Sequence, residues 1–306
     1  MNSVPEWLWV AAVLIAALTQ TIRNTAQRSL SDTAGPVGAS LARFLYGLPF
    51  ALLAAVVLQM SGHEPIFQDL SLKFGLWLFI GAITHAAGSI FLTAAMRSGN
   101  FVVAVTLSKT EILQIAAFST LILSEVPNGS SLTGMALALL GIALISPRGI
   151  LRQFSNIRGP MLLGTLYGLA TGACYAMAAV GYRAAGLELT SQGHSPLLVA
   201  FWCVVLAQSI QVTTMSLWMG LRERESFRAI FVDWKLAMAS GLAGAIASLG
   251  WYVGYVLRPA ADVRILGMTE VVFSFLVSRH LLGERTRLWE NIGITLVVAG
   301  AVLACL

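Results

Sequence analysis

"TLSKTEILQIAAFSTLILSE", residues 106 to 125, is apolar enough to cross a bilayer, yet it carries Lys109 and Glu111 inside the run. A charge at the bilayer centre costs about 2.5 to 3.5 kcal/mol on insertion scales, so such residues turn toward a protein interior or a water-filled cavity. The stretch is one of a series. The 306-residue chain is 57% hydrophobic and 11% charged, with a mean hydropathy of +0.80. Soluble chains carry about a quarter charged residues.

Ten charge-poor runs recur, each near the roughly 17 to 25 residues that a helix needs to cross hydrocarbon. They lie at about 7 to 27, 37 to 59, 74 to 96, 101 to 123, 131 to 147, 160 to 183, 196 to 220, 236 to 257, 263 to 282 and 288 to 305. The runs are continuous and rich in Leu, Ala and Gly, without the short alternating segments of a barrel. The expected fold class is therefore an all-α integral membrane protein of ten transmembrane helices. "MNSVPEWLWV" at the amino end has no basic stretch and no small-residue cleavage site, so the first span is expected to be retained.

The fourth and ninth spans superpose at an offset of 159 residues. "TEILQIAAFSTLILSE" then meets "TEVVFSFLVSRHLLGE", with Thr110 on Thr269, Glu111 on Glu270 and Glu125 on Glu284. The same register sets Gly134 on Gly293 and Gly141 on Gly300, and Lys109 on Met268. Shared oiliness would match Leu and Ala rather than Glu and Gly. The chain reads as two five-helix repeats, 1–147 and 160–306, joined by a linker at 148–159. An odd number of spans per half inverts the second copy, the architecture of alternating access around a midplane site. In the joint, Ile150, Leu151, Phe154 and Ile157 recur at helical spacing against Arg148, Arg152 and Arg158, which predicts a short interfacial helix.

At these residues the chain resembles the drug/metabolite transporter superfamily in its ten-span form with two EamA-type repeats. The likeness is carried by "LSE" at Glu125 and "LGE" at Glu284, by the "LTGMALALLGIAL" and "NIGITLVVAGAVL" that follow them, by Arg43, and by "YRAAG" beside "QRSL" at the ends of the sixth and first spans. The resemblance implies a multi-pass carrier of the inner membrane, with small-molecule substrates ranging over amino acids, nucleotide sugars, lipid-linked precursors, choline and drugs. The family often has a proline midway along the fourth span of each half. Neither span here contains one, so the family's kink geometry is not carried over.

Glu111 and Glu270 lie deep in their spans and are candidate substrate-binding or proton-coupling residues. Lys109 is about 200° around the helix from Glu111, so its partner is either Glu270 of the other half or an anionic group on the substrate. Trp251 and Tyr255, at i and i+4 with Tyr252 beside them, and Tyr175 and Tyr182, seven apart, form either a wall against substrate or ordinary aromatic packing. His85 and Gln114 are single polar groups within spans, and Gln20, Arg23 and Asn24 give the first span a polar end. Arg43 reads as an anchor of the second span. Glu125 and Glu284, about 21 Å beyond the deep pair, read as interfacial capping or ion-pair residues, with Arg285 or Arg287 near Glu284. The glycine pairs read as close helix packing or a dimer surface.

Cys174, Cys203 and Cys305 are scattered apolar packing residues that predict neither disulfide nor metal. No HExxH, GxSxG or phosphate-binding loop appears, so no catalytic residue, cofactor or ATP drive is expected. The net charge of +5 is spread over short loops, which suits lipid headgroups and not nucleic acid. Of the 19 Lys and Arg, only Lys73, Arg183, Arg258 and Arg264 fall on the side reached after even-numbered spans, and Arg23, Arg43 and Lys109 lie within spans. The other cations favour termini outside the cytoplasm, whereas the resemblance implies the reverse. The function read from the sequence is a secondary transporter, in the export direction, of a small organic metabolite, driven by exchange or protons and working as a monomer or homodimer. The alternatives are a flippase for a lipid-linked headgroup, and a membrane-embedded enzyme or accessory subunit.

Overall fold

The computed structural model describes residues 5–61, 66–98, 107–145, 160–282 and 288–306. The joint at 148–159 with its expected interfacial helix, and Glu284, Arg285 and Arg287, lie outside them. Among the described residues the long elements are all helices and no strand occurs, because a backbone in hydrocarbon must satisfy its own hydrogen bonds.

The first helix, α1, runs Leu8–Met60 over 53 residues, which would reach about 80 Å if straight. It reverses at Gly35, whose φ of 71° and ψ of 173° leave the helix before Pro36. Positive φ costs glycine no Cβ clash. The Gln27 amide on the first arm donates to Ser40 Oγ on the second at 3.1 Å, so the arms lie back to back. The first arm thus continues past the expected end near residue 27.

Then follow α2 (Leu72–Ser98), α3 (Glu111–Phe118), α4 (Gly129–Ile145), α5 (Pro160–Thr190), α6 (Pro196–Arg222), α7 (Arg224–Val232), α8 (Trp234–Leu257), α9 (Ala260–Gly267), α10 (Thr269–Leu282) and α11 (Leu288–Leu303). Five of these, α1, α2, α5, α6 and α8, are long and apolar enough to cross a membrane, and α3 with its following turn, α4 and α11 are shorter apolar helices. Large apolar side chains stand outward, Leu53 at 63%, Leu121 at 81% and Leu217 at 64% exposed, a surface that lipid rather than water would cover. The amphipathic α7 was not expected from the apolar runs; its Phe227 and Phe231 rings meet at 5.6 Å.

The fourth and ninth apolar runs are broken. Residues 109 and 110 form a turn before α3, which ends in a wide π-helical turn over Ser119–Leu123 and a left-handed Ser124 at φ 57°. Met268 interrupts the ninth run between α9 and α10. Glu111 and Glu270 therefore sit in the first turns of α3 and α10, where the helix dipole favours a carboxylate. Both breaks form without proline.

The two halves pack mainly through α1 on α8, α2 on α5, and α4 on α11. Glycines set the distance in the last pair. A Cβ on Gly134 would meet the Gly300 carbonyl oxygen at 2.8 Å, and one on Gly300 would meet that of Gly134 at 2.5 Å. Gly141 and Gly293 face each other in the same way. Gly134→Val is expected to cost about 1 to 3 kcal/mol by overpacking, read as a lower melting temperature in detergent; unchanged melting would mean that the seam has room to open.

Candidate functional site

A pocket lies between the halves. The first half contributes Gln20 and Arg23 from the first arm of α1, Arg43 from its second arm and His85 from α2. The second contributes Tyr175 and Tyr182 from α5, Trp251, Tyr252 and Tyr255 from α8, and Arg264 from α9. The seven-residue spacing of Tyr175 and Tyr182 places both rings against α2, where Gly88 and Gly81 make room. A Cβ at either glycine would come within 2.6 Å of the facing ring.

Two buried ion pairs stand behind this wall, each joining one half to the other. Lys109 Nζ lies 2.5 Å from Glu270 Oε2, which also accepts from Gln20 Nε2 at 2.8 Å, while Oε1 accepts from Asn24 Nδ2 at 3.0 Å. Arg264 pairs with Glu111, and its guanidinium carbon is 4.4 Å from the centre of the Trp251 ring. Trp251 Nε1 donates to Gln20 Oε1 at 2.9 Å, which ties the aromatic wall back to the Glu270 cluster.

Arg43 Nη2 lies 2.8 Å from His85 Nε2. A guanidinium can only donate, so Nε2 accepts and the ring proton sits on Nδ1, 3.1 Å from Tyr182 Oη. Gln211 Nε2 reaches the same hydroxyl at 3.3 Å. His85 is thereby fixed as a link in a hydrogen-bonded chain. Toward the ends of α5 and α8, Arg183 Nη2 and Nε hold Glu125 Oε1 at 2.8 and 3.0 Å, and Nη1 donates to the carbonyls of Tyr255 and Val256 at 2.9 Å each. Glu125 is thus in an ion pair, with a cation from the opposite half.

Of the residues singled out from the sequence, Trp251, Tyr255, Tyr175 and His85 line the cavity. Lys109, Glu111 and Glu270 are brought together one layer behind it, at 5%, 1% and 3% exposure. Gln114 is half-buried on α3 and is not among the described residues that line the space. The cations are where the sequence reading needs correction. Arg264 and Arg183, counted there as loop charges, are each 8% exposed, because their neighbours in space are carboxylates far away in the chain. Arg43, read as an anchor, and Arg23, read as part of a polar helix end, are both in the cavity wall. The one signal available for them was an arginine inside or at the lip of an apolar run.

The family model of the EamA-like transporters matches the chain twice, over residues 7–146 and 162–306. No curated protein matches it. A solved structure described as "Crystal structure of protein" is similar to the chain at a TM-score of 0.69 and 18% identity, over 97% of this chain and 98% of that one. At that identity the likeness is one of fold. The two matches span nearly the whole sequence, one on each side of the joint, and the chain belongs to the EamA-like transporter family, a family of multi-pass membrane transporters.

Proposed function

We propose that the chain is a secondary transporter that exports a small organic metabolite by alternating access, its ten spans arranged as two inverted five-helix repeats. The observation that carries the reading is the cavity, walled by both halves and backed by two buried ion pairs that cross between them at the breaks in the matched spans. Rocking one half against the other would expose such a site to either side in turn. All the described lining residues come from one chain, which supports a monomer as the working unit, surrounded by lipid. Purified protein in liposomes is expected to show counterflow of a labelled solute; its absence across a panel of metabolites, with the protein folded, would overturn the reading.

Exchange is the favoured drive. Protonating Glu270 or Glu111 strands Lys109 or Arg264 as an unpaired buried cation, which is costly. An imposed pH gradient is therefore expected to add little to counterflow. Strong pH-driven accumulation that disappears in Glu111→Gln with Glu270→Gln would restore proton coupling through these carboxylates.

The orientation proposed is both termini outside the cytoplasm. With Arg183 and Arg264 buried, only Lys73 and Arg258 remain on the side reached after even-numbered spans, which sharpens the charge asymmetry. A carboxyl-terminal reporter that works only in the cytoplasm is expected to stay silent, and a strong signal would reverse the assignment.

A further inference from the structure

Resting on the transporter reading, we infer that the cavity takes an organic anion with a flat aromatic body, its acidic group held between Arg23 and Arg43. Five buried cations occur among the described residues: Arg23, Arg43, Lys109, Arg183 and Arg264. Glu270, Glu125 and Glu111 pair with Lys109, Arg183 and Arg264. Arg23 and Arg43 are left, at 3% and 1% exposure, in no ion pair among the described residues and hydrogen-bonded to neutral side chains, with the Glu270 carboxylate acting on Arg23 only from beyond Asn24. Arg23 donates to Asn24 Oδ1 at 2.7 and 3.3 Å, and Arg43 to Ser89 Oγ at 3.2 Å and to His85.

The two guanidinium groups are neighbours. Their stems pass over the same glycine, where a Cβ on Gly244 would meet Arg43 Cγ at 3.0 Å and Arg23 Cδ at 3.5 Å. Arg43 Nε and the Tyr175 hydroxyl are buried without a well-formed hydrogen bond, though the Arg43 and Tyr175 side chains lie close enough to interact. Two like charges in a poorly solvated space repel strongly, and each has lost its hydration. A bound carboxylate or phosphonate relieves both and fits the planar fork of donors.

The rest of the wall suits a π-system. Trp251 and Tyr255 stack with centres 6.3 Å apart, and Tyr182 and Tyr252 meet at 4.2 Å. No carboxylate lines the described cavity, so a substrate amine would face arginines. The anionic group could come from a soluble acid or from a lipid headgroup, and the aromatic wall favours the soluble acid.

The test is the melting of the purified protein with indole-3-acetate, phenylphosphonate, indole-3-acetamide, tryptamine or dioctanoyl phosphatidate. Both soluble acids are expected to stabilise the wild type, and the neutral and cationic indoles are not. Arg23→Gln and Arg43→Gln should each weaken acid binding about ten- to a hundredfold, with Arg43→Lys recovering part of it. Ligand-free Arg23→Gln is expected to melt no lower than wild type, since it removes a like-charge repulsion; a purely structural arginine would melt lower. Tryptamine binding as well as indole-3-acetate, acid binding unchanged in both glutamine variants, or no acid binding would overturn the inference. Stabilisation by phosphatidate alone would overturn it in favour of a lipid headgroup. Counterflow separates the two readings. Acids that bind but do not exchange remove the transporter and leave the anion site, whereas tryptamine exchange without acid exchange does the opposite.

Discussion

Lys109→Met is expected to lower the melting temperature by roughly 10 °C, and Glu270→Gln in the same chain to restore most of the loss. The single change leaves the Glu270 carboxylate, 3% exposed, without its ion-pair partner and hydrogen-bonded by the Gln20 and Asn24 amides. Breaking one side of a buried pair costs about 3 to 5 kcal/mol, and about 2 to 4 °C follows each kcal/mol in domains of about 150 to 250 residues, the size range nearest to this chain. Removing both charges abolishes the uncompensated one, so the double variant recovers stability even though it has lost the bond. The four-member cycle, read by thermal unfolding in detergent, decides. If the double variant is as unstable as the sum of the singles, Lys109 has some partner other than Glu270.

Glu111→Gln should behave alike in stability and differently in function. It strands Arg264, whose partner across the halves is Glu111, and Arg264→Met alongside it is expected to bring melting back. Transport is not expected to return, because Arg264 also lies in the cavity wall over the Trp251 ring. Recovery of counterflow in the double variant would confine Arg264 to scaffolding.

The sequence already carried much of this. The apolar runs fall on the helices that are long and apolar enough to cross a membrane, since hydropathy averages over a length that the bilayer itself sets, while the first and sixth runs end several residues short of their helices. The offset of 159 that pairs Glu111 with Glu270 marked the two residues that stand at the broken helices. It offered Glu270 of the other half as one partner for Lys109, which the fold supplies, but gave no sign that Arg264 would neutralise Glu111, because that pairing is a property of the folded interface and leaves no periodic trace. Arg183 and Arg264 lie at the edges of their apolar runs, where a charge in water and a charge in a buried pair read alike. The helix breaks were equally invisible. Without proline, no local backbone signal marks the turn at Lys109 and Thr110, where Lys109 meets Glu270.

The seam between α4 and α11 has one more consequence. Gly134 meets Gly300 while Gly141 meets Gly293, and the repeat register equates Gly134 with Gly293 and Gly141 with Gly300. A patch whose first landmark touches its twin's second, and whose second touches its twin's first, is self-complementary in the manner of an isologous dimer contact. The protein thus keeps inside one polypeptide the kind of join that two separate half-length chains would make with each other. Since each glycine is already occupied by its counterpart, any pairing of whole molecules has to use a different face.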